Sequence, residues 1–69
     1  MLNDKQKEFV LAFAENDMHL EKTAKAVFYS APNVDHHLRR VAAVTGLDPK
    51  KFYDLVELVR KIKEEQNGI

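Results

Sequence analysis

The chain has 69 residues, and its eleven lysines and arginines balance eleven aspartates and glutamates, leaving a formal net charge of zero. Such a length holds one small domain, 1–69, with no room for a catalytic domain beside a regulatory one, and the balanced charge gives no overall pull toward nucleic acid or an anionic membrane. No cysteine is present, which excludes disulfides and thiolate metal sites and fits a reducing, cytoplasmic setting.

An apolar fraction of 45% with two glycines and two prolines describes a folded, helix-rich chain rather than a disordered one. Apolar runs of only a few residues leave no membrane span and no signal-peptide core. Four helices are predicted, over about 3–16, 20–28, 32–45 and 49–65. The first opens at Asn3 with Gln6 three residues on, in the form of a capping box. Phe9, Val10 and Phe13, with Ala12 and Ala14, follow at helical spacing. The second helix carries Leu20, Ala24, Val27 and Phe28 on its inner face, with His19 or Asp17 as its cap. The third begins near Pro32, whose fixed φ suits a first helical turn. Its Val34, Leu38, Val41 and Val44 recur at helical spacing, and Gly46 supplies the stop. The fourth starts at Asp48-Pro49, an aspartate cap followed by proline. The end of the chain reads as a fraying helix terminus with Ile69 disordered. No segment alternates as a strand does, so the fold class is all-α.

The last helix spreads Phe52, Tyr53, Leu55, Val56, Leu58, Val59 and Ile62 over an arc of roughly 220° at 100° per residue, about twice the width a surface helix needs. Either the helix sinks deeply into its own domain, or a second copy covers part of it. Tyr53, Leu55, Leu58 and Ile62 are the candidate homodimer surface.

Helices two and three follow the helix-turn-helix pattern: a short helix with an inward alanine, a tight turn, and a longer helix with inward apolar residues. Ala24 is the small residue at their crossing, and Val27, Val34 and Leu38 form the shared core. Asp35, His36, Arg39, Arg40 and Ala43 then face outward, with Asn33 and His36 in the turns that meet base edges when such a helix enters the major groove. Asn33 can pair bidentately with adenine, and Arg39 or Arg40 can reach guanine or a phosphate. Lys22 and Lys25, on the outer side of helix two, are placed for backbone phosphates, and His36 adds charge only at lower pH. Lys22, Lys25, Asn33, His36, Arg39 and Arg40 are the candidate DNA-binding residues. The bland alternative is that the same cluster is an ordinary solvated face.

The run "KTAKAVFYSAPNVDHHLRRVAAVTGLDPKKFYDLVELV" resembles the C-terminal helix-turn-helix domain of PucR-type transcription regulators, the group that includes sugar-diacid regulators. Thr23-Ala24 match the threonine-alanine pair of the first motif helix, Val27 the aliphatic residue after it, and Leu38 the leucine inside the recognition helix. Thr45-Gly46-Leu47-Asp48 match the corner, and Phe52 to Val59 the apolar last helix. The resemblance covers nearly the whole chain and implies a short stand-alone bacterial or mobile-element regulator that binds double-stranded DNA. Where the family usually has histidine-arginine-asparagine-threonine, this chain reads Ser30-Ala31-Pro32-Asn33, and a tyrosine-arginine pair further along is His36-His37. The departures imply either a different operator or a scaffold that has lost DNA binding.

The opening "LNDKQKEFVLAFAEN" with "KTAKAVFYS" is also similar to the start of phage terminase small subunits, whose N-terminal domain recognises viral DNA. A third possibility, from a different class, is a protein-interaction module built on the same scaffold. Metal binding and catalysis find no support. His36 and His37 point about 100° apart on a helix and cannot clamp one ion together. Thr23 and Thr45 read as packing or capping residues, Ser30 as a turn residue, and Tyr29 as a side chain half-buried between two helices. No enzyme activity and no cofactor are expected.

Overall fold

The computed structural model describes residues 2–67 and holds four helices, α1 (Asp4–Glu15), α2 (Leu20–Val27), α3 (Ala31–Thr45) and α4 (Phe52–Asn67). Ile69 lies outside the described residues. Every described element is helical, so the chain is all-α.

Each junction is set by identifiable chemistry. The Asn3 side chain accepts from the Gln6 N–H at 2.8 Å, and the Asn3 N–H donates to Gln6 Oε1 at 2.9 Å, so the capping box satisfies two otherwise orphaned donors at the start of α1. The helix ends where Asp17 and Met18 take left-handed φ angles of 58° and 61°, a pair of conformations that turns the chain sharply. His19, rather than Asp17, caps α2, its Nδ1 accepting from the Lys22 N–H at 3.3 Å. The Ser30 hydroxyl accepts from the Asn33 N–H at the same distance and starts α3, with Pro32 in its first turn. Gly46 closes α3 at φ 76°, a conformation that glycine takes without steric cost. Thr45 Oγ1 donates to the Val41 carbonyl at 2.7 Å and accepts from the Leu47 N–H at 3.1 Å, fixing the corner.

Helix α4 begins at Phe52, three residues later than Asp48-Pro49 suggests. The Asp48 carboxylate accepts from the Lys50 N–H at 2.9 Å, and the Asp48 carbonyl accepts from the Lys51 N–H at 2.9 Å. The aspartate therefore organises a separate turn that buries Pro49, and the helix follows that turn.

Helix α1 packs against each of the other three, while α4 closely approaches α1 alone. The core gathers Phe9, Val10 and Phe13 from α1, Ala24 and Val27 from α2, Val34, Leu38 and Val41 from α3, and Leu55, Leu58 and Ile62 from α4. Thr23 is completely buried and donates its hydroxyl to the His19 carbonyl at 2.8 Å, so the buried oxygen is satisfied within its own helix. Tyr29 sits between α1 and α3, edge-on to Phe9 at 5.0 Å and to His37 at 6.3 Å. A Lys7–Glu65 ion pair at 2.8 Å joins the start of α1 to the last turns of α4.

Two expectations of inward apolar residues and one of a dimer surface are corrected. Phe28 is 93% exposed instead of lining α2's inner face, because it occupies the left-handed position that ends the helix at φ 62°. Val44 is half exposed, since α4 does not reach far enough across α3 to cover it. Leu55, Leu58 and Ile62 lie in the protomer's own core, which removes them from the candidate dimer surface; only Tyr53 of that set is exposed, at 83%.

Candidate nucleic-acid interface

Burial of Val34, Leu38 and Val41 fixes the rotation of α3. One turn of α-helix repeats every 3.6 residues, so Asn33, His36, Arg39, Arg40 and Ala43 are carried to the opposite side, and all five are exposed. On α2, burial of Thr23, Ala24 and Val27 turns Lys22 and Lys25 outward in the same way. Each of the six candidate residues is therefore on the surface of its helix, on the two elements that the Ser30 turn joins.

The charges are not all equally available. Asp35 does not face outward with Arg39; its side chain is 16% exposed, on the flank of α3 toward the α4 turn. There its carboxylate pairs with Arg39 at 2.9 Å and with Lys50. The Lys50 ammonium beside Asp35, with the Arg39 guanidinium, holds the carboxyl below its ordinary range. Among the described residues Lys22, Lys25 and Arg40 enter no ion pair, so they carry uncompensated positive charge while Arg39 shares an anion with Lys50. The triad still carries a net positive charge of one, and it adds a cation that the sequence reading missed. Lys50 stands fifteen residues from Asp35, beyond any helical periodicity, and only the path of the Gly46–Lys51 corner brings the two together.

His36 and His37 differ in role. His37 is partly buried, with its ring edge-on to Phe9 at 4.9 Å, so it belongs to the α1–α3 packing. His36 remains outside, and Asn33 is exposed next to the Ser30 cap, to which its backbone N–H donates. Among the described residues there is no group of three or more metal-ligating side chains, and no helix is long and apolar enough to cross a membrane.

A short helix, a tight turn and a second helix seated on a third across a shared apolar core define a helix-turn-helix domain. The sequence pattern of the PucR C-terminal helix-turn-helix domain matches residues 7–63, and the chain belongs to that family. No curated protein and no solved structure matches the chain significantly.

Proposed function

We propose that the chain is a small DNA-binding transcription regulator that lays the outer face of α3 in the major groove. The observation that carries this reading is the outer face of α3: Asn33, His36 and Arg40 stand exposed on one side of a helix whose other side is locked in the core. Asn33 and Arg40 supply the donors and acceptors that read base edges, while Lys22 and Lys25 grip the phosphates alongside. Arg39 is the weaker contributor, because binding DNA through it requires release from Asp35. Membership of the regulator family over most of the chain supports a regulatory role rather than a terminase-like one.

Three free cations predict a log–log dependence of affinity on salt of about −2.7. Fluorescence anisotropy on a mixed-sequence duplex across a salt series measures it. Replacing Lys22, Lys25 and Arg40 together by alanine is expected to flatten the slope to near zero and abolish binding at physiological salt. Tight binding with an unchanged slope would remove these residues from the interface.

A specific observation favours a second reading, a protein-interaction module. Phe52, Tyr53 and Val56 are exposed on α4, and Phe52 and Val56 line a groove of about 420 Å³ together with Ala14, Asp17, Met18, Leu55 and Val59. The two uses occupy different faces of the molecule.

A further inference from the structure

The helix stop after α2 needs a left-handed residue, but nothing in the fold requires that residue to be Phe28 rather than a glycine or asparagine. Its ring is 93% exposed and, among the described residues, stacks on no other ring. Its backbone is left-handed, φ 62° and ψ 38°. The Tyr29 N–H donates to the Ala24 carbonyl at 3.0 Å and the Phe28 N–H to the Lys25 carbonyl at 3.4 Å, the two bonds of a helix stop whose left-handed residue is ordinarily glycine or asparagine. A residue with a Cβ is disfavoured there, and a fully hydrated phenyl ring returns no burial energy to offset that. Strain held in place by the surrounding structure is a pointer to use elsewhere.

Position gives the use. Phe28 directly follows Val27, the last residue of α2, and stands two residues before the Ser30 cap of α3, in the turn that joins the helix carrying Lys22 and Lys25 to the one carrying Asn33 and Arg40. The helices on either side of this turn carry Lys22, Lys25 and Arg40, which enter no ion pair among the described residues, and such a setting suits a polyanion rather than an apolar protein surface. Along a nucleic-acid strand the apolar faces between successive phosphates are those of the sugars. Resting on the DNA-binding reading above, we propose that Phe28 is a DNA-contact residue, its ring packed on a deoxyribose of the strand whose phosphates Lys22 and Lys25 hold.

A sugar contact carries no sequence information and no charge, and these two properties separate it from other roles. Phe28→Gly and Phe28→Asn both accept the left-handed backbone, so their thermal midpoints should equal or exceed that of the parent chain. Anisotropy with a mixed-sequence duplex should show each of them binding roughly tenfold more weakly, the scale of one partly buried phenyl ring. The salt slope should be unchanged, and the loss equal on a duplex with every thymine replaced by uracil. Phe28→Tyr, which keeps the ring, should bind like the parent. Unchanged affinity in the glycine and asparagine variants overturns the assignment, as does a flattened salt slope, which would mean that the ring acts through the lysines. A loss confined to the thymine duplex also overturns it, making the contact a base methyl instead of a sugar. Absence of binding by the parent chain, in contrast, refutes the DNA reading itself.

Discussion

Asp35 engages part of the positive charge carried on and beside α3. Its carboxylate pairs with Arg39 and Lys50, so an acidic residue next to the candidate DNA-binding residues restrains one of them, Arg39. Asp35→Asn frees both cations, and the salt dependence of DNA binding should steepen by about one to two units, with tighter binding at low salt. A slope equal to the parent's would show that neither cation meets the phosphates. The same substitution probes stability. The carboxyl titrates lower in the folded chain than in the unfolded one, so its stabilising effect is complete above the unfolded value of about 3.9 and fades as pH falls through the folded value. At neutral pH the loss should be no more than about 1 kcal/mol, the range of solvent-exposed pairs. Once pH has fallen below the folded carboxyl's own titration, the two chains should melt alike.

Helix α4 divides into two faces that its sequence alone does not separate. Leu55, Leu58 and Ile62 are core, while Phe52, Tyr53 and Val56 are surface. Leu58→Ala should destabilise the domain by about 3 kcal/mol through the cavity left in the α1–α4 contact. Tyr53→Ser should stay within about 0.5 kcal/mol. Chemical denaturation of both variants checks the pair, and comparable losses would mean that the helix is rotated from the position described. This is also where legibility in the sequence stops. Periodicity shows that Val34, Leu38 and Val41 share a face, and the Asn3–Gln6 and Gly46 signals mark real helix ends. Those patterns are local, and local patterns are what sequence spacing records. An arc of roughly 220° on α4 does not say which half is covered, since that depends on where α1 lies. Phe28 misled for a related reason: apolar character argues for the interior, but the helix stop had already turned its side chain out. At the candidate interface the outward residues could be read from spacing, whereas the Asp35–Lys50 contact could not, because it depends on how the chain returns after Gly46.

At the scale of the whole molecule, zero net charge and a DNA-binding role are compatible through distribution. Part of the acidic charge is engaged away from the motif helices: Glu57 and Glu64 pair with Arg60 along α4, and Glu65 with Lys7, while Lys22, Lys25 and Arg40 enter no ion pair among the described residues, with Glu21 the one exposed acid on α2. Long-range steering should accordingly be weak and association sensitive to salt chiefly through local contacts. The packing adds a mechanical point. Because α1 contacts every other helix, the α2–α3 pair is braced from behind and can present a fixed face. The most direct test is a titration of isotope-labelled protein with mixed-sequence duplex DNA at low salt, repeated at physiological salt, following backbone amide shifts. Shifts should cluster at Lys22, Lys25, Asn33, His36, Arg39 and Arg40 and shrink as salt rises. Shifts absent at low salt, or confined to Phe52–Val59, would contradict a DNA-binding role for the α2–α3 face.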